Sequence, residues 1–169
     1  MHPAFTGWDR DGGFAEYAVN HINTLYRLPD NLTFEQACMV TTAASPLWAI
    51  DLMGGYVAGE TVLILGPGPI GLIAVQLCKA LVPNTKLIVT AAPDKLERVK
   101  GMGVDLVINF KETPDFTEAV KEFTAKKGVD VILDHVGAKY LAPNMNSLGY
   151  AGRLVIIGEG SDRQALAAL

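Results

Sequence analysis

The chain has 169 residues, of which 50% are hydrophobic and 19% are charged. This composition supplies one packed core and excludes a disordered segment. The 14 basic and 18 acidic residues give a formal net charge of −4, which argues against a nucleic-acid-binding surface. Two cysteines and three scattered histidines exclude a disulfide scaffold and show no metal-ligand spacing, so a reducing, cytoplasmic setting is expected.

The N-terminal 32 residues differ in pattern from the rest of the chain. Residues 9–13 are typical of a turn, and residues 14–19 are expected to form a strand. A capping box at Thr33 predicts the start of a helix that continues into the small, apolar segment before Pro46. Pro46 is expected to end or kink that helix, and a further helix is expected over residues 47–53.

Strands and helices alternate regularly from residue 61 onward. Five apolar runs have the character of strands buried on both faces, namely Thr61–Leu65, Lys86–Thr90, Leu106–Phe110, Val129–Leu133 and Arg153–Ile157. The alternation predicts an α/β fold of the Rossmann type, a doubly wound parallel sheet with helices on both faces. The uncharged stretch 61–78 has about the length of a membrane span, but its central glycines and prolines divide it into a strand and a helix, so no membrane contact is expected.

The helices between these strands carry their own signals. Residues 70–81 are expected to form the helix after the first strand. Asp94 and Asp115 are expected to cap the second and third helices, and the apolar spacing behind Asp115 is that of an amphipathic helix. Pro143 must interrupt or begin the fourth helix.

One motif between the first strand and the first helix points to a ligand. The segment from Gly66 to Gly71 has the spacing G-x-G-x-x-G, in the position of a dinucleotide-binding turn. Gly66 would make the tight turn, Gly68 would let the backbone approach a pyrophosphate, and Gly71 would allow close helix–strand packing. The phosphates would meet the helix N-terminus, which Pro69 and Ile70 form. The alternative is a tight strand-to-helix turn without a ligand.

The end of the second strand bears on the choice of cofactor. It lacks the carboxylate that typically binds the ribose 2′-hydroxyl in an NAD site. Thr90, Lys95 and Arg98 could instead receive a 2′-phosphate, so NADP(H) is favoured over NAD(H). Two alternatives remain open: the two cations form only a solvated helix face, or Asp94 bonds a ribose.

Ligands in this fold lie over the carboxyl ends of the strands. His135, Val136 and Gly137 after the fourth strand, and Gly158 after the fifth, are therefore expected to line the nicotinamide half of the site. His135 is either a loop histidine without a chemical task or a general base. A hydrolytic triad with Ser147 is excluded because the G-x-S-x-G motif is lacking and because adjacent strand residues point apart.

Several segments in this order resemble the medium-chain dehydrogenase/reductase superfamily, which includes zinc alcohol dehydrogenases and zinc-independent quinone oxidoreductases. The resemblance lies in residues 6–17, 28–30, 66–71, 133–137 and 152–154. It implies that residues 1–32 are the C-terminal remnant of a GroES-like catalytic domain. It also implies that residues 33–169 are a Rossmann domain, incomplete at its C-terminus.

The resemblance further implies which branch of the superfamily the chain belongs to. A zinc-ligand position of the family falls near Thr41, a poor zinc ligand, so the zinc-independent branch is favoured and no zinc is expected, unless Cys38 is the true equivalent. Lys95 matches the family's 2′-phosphate lysine. Phe110 stands where quinone oxidoreductases often carry a tyrosine, so the aromatic contact is kept without its hydroxyl.

The leading hypothesis is the NAD(P)H-binding part of a zinc-independent alcohol dehydrogenase or quinone oxidoreductase, which moves a hydride between nicotinamide and a carbonyl, enone, quinone or alcohol. Thr42 and Ser45 are candidates for hydrogen bonds to the small-molecule substrate, or else helix-packing hydroxyls. A homodimer through the exposed fifth strand is also expected, because an open sheet edge can pair with another chain. The competing hypotheses are a non-catalytic dinucleotide-binding module and a methyltransferase-like Rossmann enzyme.

Overall fold

A computed structural model describes residues 6–52 and 55–158. The chain divides into two compact units, Met1–Cys38 and Met39–Leu169, whereas the sequence pattern places the boundary after residue 32. The described residues of the first unit contain little regular structure. They form a short 3-10 helix at Ile22–Thr24 and the one-turn helix α1 (Phe34–Ala37).

The strand expected at residues 14–19 does not form. A strand needs a neighbour to pair its backbone groups, and the described part of the first unit contains only an isolated bridge between Thr6 and Arg10. The capping box at Thr33 is confirmed. Gln36 N donates to Thr33 Oγ1 at 3.2 Å, and Thr33 N donates to Gln36 Oε1 at 3.0 Å.

The helices that follow differ from the expectation. Helix α1 ends after one turn, and α2 (Val40–Leu52) is a separate helix that continues through Pro46. A proline in a helix interior removes one backbone hydrogen bond, but the Pro46 ring is buried together with Ala49 and Ile50, and this packing offsets the loss. Residues 53 and 54, where the further helix was expected to end, lie outside the described residues.

The second unit confirms the predicted α/β fold. Its five strands are all parallel and lie in the order β3-β2-β1-β4-β5, with β1 (Thr61–Leu65), β2 (Lys86–Ala91), β3 (Leu106–Asn109), β4 (Val129–Asp134) and β5 (Leu148–Ile156). The helices between them are α3 (Pro69–Leu81), α4 (Leu96–Lys100), α5 (Thr117–Phe123) and α6 (Leu141–Ser147). Short 3-10 helices at Pro93–Lys95 and Ala138–Tyr140 precede α4 and α6.

Alternate residues of the central strands divide the core between two faces. Val62 and Ile64 of β1 pack in a cluster with buried side chains of α2, α3 and α4. Leu63 and Leu65 point to the other face, where they pack with Phe116 and the side chains of α5. Burial of each such aliphatic side chain contributes roughly 1.5–3 kcal/mol, so the doubly covered sheet is the main source of stability.

Two helix starts were predicted from aspartates, and neither aspartate is the N-cap residue, although Asp115 bonds the first residue of α5, whose N-cap is Phe116. Thr117 N donates to Asp115 Oδ1 at 3.0 Å, and hydrogen bonds from Thr117 lower the pKa of the Asp115 carboxyl. The cap expected at Asp94 is wrong, because the segment begins as a 3-10 turn at Pro93 without a side-chain cap. Pro143 lies in the first turn of α6, where a proline is tolerated, so it begins this helix.

Strand β5 begins earlier than expected because it contains a bulge. Its pairing with β4 shifts from Val129 opposite Leu148 to Val131 opposite Arg153. Within the described sheet β5 is an edge strand, as predicted. Arg153 ties this edge to the segment before β1, since its Nη2 donates to both carboxylate oxygens of Glu60 at 2.7 Å.

The stretch that raised the question of a membrane span folds as a strand and a helix. Residues 61–78 form β1, the glycine loop and most of α3. The longest described helices, α2 and α3, have 13 residues each, and the described ranges contain no helix with the length and apolar content needed to cross a membrane.

Candidate functional site

The loop between β1 and α3 is shaped by its three glycines. Gly66 has a φ of 84°, which a residue with a side chain rarely adopts. A Cβ on Gly71 would lie 2.0 Å from Gly66 O, so only glycine fits against the loop. A Cβ on Gly68, in contrast, would meet nothing within 4 Å. Two glycines therefore satisfy packing inside the protein, and the third faces open space.

The open glycine lies at the N-terminus of α3. Gly68 is the N-cap residue, makes no side-chain cap and is followed by Pro69 at the first helical position. The N–H groups of a first helical turn have no partner within the helix, and the helix dipole places partial positive charge there. Leu72 N bonds back to Gly68 O at 2.9 Å, so the helix is regular from its first turn. This end of α3 can receive an anion through its backbone.

Thr90 at the end of β2 supports the glycine loop. Its side chain is buried, and Gly66 N donates to both Thr90 O at 3.0 Å and Thr90 Oγ1 at 3.1 Å. The hydroxyl is thus engaged with the loop, and its contact with a 2′-phosphate stays a prediction. Lys95 and Arg98, by contrast, are exposed beyond the end of β2.

Phe110 lies beyond the end of the neighbouring strand β3. Its N–H donates to Ala91 O at 3.2 Å, which joins the ends of β2 and β3. The half-buried ring lines a cavity of about 430 Å³ together with Lys111, Lys139 and Tyr140. The nitrogen Nζ of Lys111 lies 5.5 Å from the ring centroid. Aromatic and cationic side chains thus lie together at this part of the C-terminal edge.

The ends of β4 and β5 approach closely. Ile157 N donates to Asp134 O at 2.7 Å, and a Cβ on Gly158 would lie 2.6 Å from His135 O. Val136 packs partly against the core, and Gly137 is buried with a φ of 93°. The structure therefore brings the residues predicted after both strands to one edge of the sheet. The predicted neighbours of Gly158, residues 159 and 160, lie outside the described residues.

His135 joins β4 to the glycine loop. Its Nε2 lies 2.9 Å from Gly66 O, and because a carbonyl only accepts, Nε2 carries the proton. The other ring nitrogen, Nδ1, is buried and has no hydrogen-bond partner. Burial lowers the pKa of His135, against smaller opposing effects of the bond to Gly66 and the charge of Asp134. Because Nε2 is bonded to the loop and the unpaired Nδ1 is buried, the ring is better suited to support the loop than to act as a general base.

The buried ring of His135 predicts how stability depends on pH. The folded protein keeps the ring neutral, whereas the unfolded chain protonates near pH 6.5, so the unfolded state binds more protons below that pH. The stabilising contribution is therefore complete above about pH 6.5 and is lost as the pH falls below it, with a slope of at most about 1.4 kcal/mol per pH unit.

Urea unfolding between pH 7.5 and 5.5 measures this slope. In His135→Gln, which keeps a donor for Gly66 O but does not titrate, the free energy of unfolding is expected to fall less over this range. If the free energy of unfolding had the same pH slope in the parent chain and in His135→Gln, the assignment of this pH dependence to His135 would be wrong. His21→Gln is the matched control, because His21 is exposed in the first unit.

The predicted substrate-side residues lie on α2, which packs against α3. Thr42 is half-buried, and Thr41 and Ser45 are exposed. Their roles toward a substrate stay predictions. In residues 6–52 and 55–158, no three side chains of His, Cys, Asp or Glu gather closely enough to hold a metal ion.

The sequence analysis missed one polar cluster at this edge. Asp134 is buried at the end of β4, and Asn144 of α6, also buried, donates to it from Nδ2 at 2.8 Å. The only signal available was a carboxylate ending an apolar strand, followed by a glycine three residues later.

Comparison with known proteins identifies the family. The family model described as "Zinc-binding dehydrogenase" matches residues 69–168. L-threonine 3-dehydrogenase of Pyrococcus furiosus is 37% identical over 158 residues, which cover 90% of this chain and 43% of that protein. Quinone oxidoreductase of Homo sapiens is 29% identical over 157 residues, which cover 91% of this chain and 47% of that protein.

Solved structures agree with the sequence comparisons. The crystal structure of an NAD-dependent alcohol dehydrogenase matches with a TM-score of 0.80 and 30% identity, covering 94% of this chain and 47% of that one. The chain spans less than half the length of the curated relatives described above. By its sequence, its parallel sheet and its glycine loop, the chain belongs to the medium-chain dehydrogenase/reductase superfamily and corresponds to part of the cofactor-binding domain.

Proposed function

We propose that this chain binds a dinucleotide, NADP(H) in preference to NAD(H), across the C-terminal edge of its sheet. The observation that carries the proposal is the open position of Gly68 at an uncapped helix N-terminus directly after β1. The positive φ of Gly66 and the close contact of Gly71 account for the other two glycines of the loop, but no contact within 4 Å accounts for the glycine at this position. A pyrophosphate fits it, because backbone N–H groups and the helix dipole both favour an anion there.

We propose that the remaining predicted residues surround this phosphate site. We assign the 2′-phosphate end of the ligand to Thr90, Lys95 and Phe110, since Thr90 lies near the end of β2 and the other two follow the neighbouring strands β2 and β3. We assign the other end of the ligand to Val136, Gly137 and Gly158, which follow β4 and β5. The absence of a carboxylate at the end of β2 supports NADP(H).

The proposed chemistry is that of an oxidoreductase. When bound, the nicotinamide gives or takes a hydride, and the acceptor or donor is a carbonyl, enone, quinone or alcohol. The chain binds and orients the cofactor, with Thr42 and Ser45 as candidates for contact with the substrate. The names of the relatives, which are dehydrogenases and a quinone oxidoreductase, support this class of reaction. Zinc-independent chemistry is proposed because Thr41 is a poor zinc ligand.

The larger context of the chain is also part of the proposal. We assign residues 1–32 to the end of a GroES-like catalytic domain and residues 33–169 to the Rossmann domain, and we place the protein in the cytoplasm. The coverage of less than half of each curated relative supports an assignment to part of a larger enzyme. The open edge of β5 supports a homodimer through that strand. The alternative is a module that binds the dinucleotide without turning over a substrate.

Thermal unfolding with NADPH, NADH and S-adenosylmethionine tests the proposed ligand. A ligand at about 100 times its dissociation constant adds roughly 2.7 kcal/mol, which raises the midpoint by about 5–10 °C for a domain of this size. NADPH is expected to give the largest shift. A shift with S-adenosylmethionine alone would favour the methyltransferase hypothesis, and no shift with any of the three would contradict dinucleotide binding.

The preference for NADP(H) is tested by reversing one charge. Lys95→Glu is expected to weaken NADPH binding tenfold or more and to leave NADH binding nearly unchanged, because only NADPH carries the 2′-phosphate. Isothermal titration with both nucleotides measures the two constants. Lys86→Glu is the matched control, since Lys86 is exposed at the start of β2, whereas Lys95 follows the end of that strand. An equal effect of both variants would show a general charge effect and not a phosphate site.

A further inference from the structure

The carboxylate of Asp134 is buried at the end of β4, where the strand is otherwise apolar. Its side chain is 1% exposed and accepts three hydrogen bonds, from Val136 N at 2.7 Å, Gly137 N at 2.8 Å and Asn144 Nδ2 at 2.8 Å. Burial of a carboxylate is unfavourable unless such donors surround it. An apolar residue could fill the space without this requirement, so the three bonds indicate a specific task.

Two of the three donors belong to the turn that leaves β4. At Gly137 the backbone has φ of 93° and ψ of −150°, a conformation that is sparsely populated outside glycine. The Asp134 carboxylate pairs the N–H groups of both part-buried Val136 and buried Gly137, and the second would otherwise lack a partner in the interior. The carboxylate thereby holds the chain in this turn as it enters the 3-10 helix Ala138–Tyr140.

The third donor connects the turn to α6. Asn144 is fully buried, and its Oδ1 has no hydrogen-bond partner, so the bond to Asp134 is the contact that orients its amide. His135, which directly follows Asp134 in the chain, holds the glycine loop through Gly66 O. Adjacent residues at the end of β4 therefore hold the two loops that flank the proposed dinucleotide site.

We propose that Asp134 and Asn144 form a positioning pair that holds the Val136–Gly137 turn in the shape that receives the dinucleotide. This inference rests on the proposed function. The pair acts through the turn and does not itself contact the cofactor. Disturbing it therefore weakens nucleotide binding by the folded protein more than an equally destabilising change elsewhere.

An exchange of the two side chains tests the pair. In Asn144→Asp, a carboxylate replaces the amide that donates to Asp134, and two buried carboxylates repel each other. The double variant Asp134→Asn/Asn144→Asp restores one donor and one acceptor. We expect Asn144→Asp to weaken NADPH binding tenfold or more and to speed amide hydrogen exchange at Val136 and Gly137, because the repulsion displaces the Asp134 carboxylate. We expect the double variant to recover most of both losses.

Two controls separate positioning from general stability. Val120→Ala lowers stability from within α5, and Ser147→Ala removes a buried hydroxyl of α6 that has no hydrogen-bond partner. Both are expected to bind NADPH as the parent chain does when measured below their unfolding midpoints. An Asn144→Asp variant that is folded and binds NADPH normally would overturn the proposal.

The remaining outcomes also decide the question. If Asn144→Asp does not fold, recovery of folding and binding in the double variant supports the pair, and failure of the double variant to fold or to bind overturns it. If the parent chain binds no nucleotide, the proposed function fails on its own. Hydrogen exchange at Val136 and Gly137 then still shows whether the pair holds the turn, and unchanged exchange rates in Asn144→Asp would overturn that part too.

Discussion

Gly71→Ala is expected to abolish dinucleotide binding and to destabilise the fold by about 3 kcal/mol, the upper end of the usual cost of overpacking. The added Cβ would lie 2.0 Å from Gly66 O and 3.1 Å from Cε1 of His135. The first contact is with backbone, which cannot rotate away as the end of a side chain can. The clash can therefore be removed only if α3 moves away from the loop. This movement displaces the N–H groups that would bind the phosphates.

Gly68→Ala is the matched control for this prediction. Its Cβ meets nothing within 4 Å, so the fold should lose at most about 1 kcal/mol, the usual cost of alanine in place of a favoured N-cap residue. Binding of NADPH should still fall, because the methyl group occupies the space proposed for the pyrophosphate. Thermal midpoints and NADPH titration of both variants give the result. A Gly68→Ala variant that binds NADPH normally would place the ligand elsewhere.

The parts of the fold that were predictable depend on local pattern. The continuous apolar run at Thr61–Leu65 predicts a central strand of a parallel sheet, and the strand is indeed buried on both faces. The capping box at Thr33 spans three residues and forms as expected, and Asp115 bonds the first residue of α5 although Phe116 is the N-cap residue. The glycine spacing also has a local cause, since Gly66 and Gly71 meet across a single turn.

The parts that failed depend on contacts distant in the chain. Pro46 normally ends a helix, but burial of its ring keeps α2 continuous. Residues 14–19 have the composition of a strand without a neighbouring strand among the described residues. The early start of β5 follows from the pairing of Leu148 with Val129. The glycines in this part of β5 are not typical of a strand, so the sequence alone does not predict the pairing. The bond between Asp134 and Asn144 joins two elements, and neither element predicts it alone.

Phe116→Ala is expected to have the largest effect on stability, a loss of about 3–5 kcal/mol. The Phe116 side chain is fully buried between the sheet and α5, against residues such as Leu63 and Ile132 of the strands. Its ring centroid also lies 6.0 Å from that of Tyr140. Phe116 directly precedes α5 and Tyr140 directly precedes α6, so the ring contact joins the starts of the two helices that cover this face.

Urea denaturation measures the loss, and an unchanged dependence on urea concentration would show that the unfolding transition itself is the same. The thermal midpoint should fall by about 10 °C or more. Phe110→Ala provides the contrast, because the ring of Phe110 is half-buried and lines the cavity at the C-terminal edge. That variant should stay folded and bind NADPH more weakly, whereas folded Phe116→Ala should bind NADPH normally at low temperature. If both variants lowered stability and NADPH binding to the same extent, the assignment of Phe116 to the core and of Phe110 to the nucleotide site would be wrong.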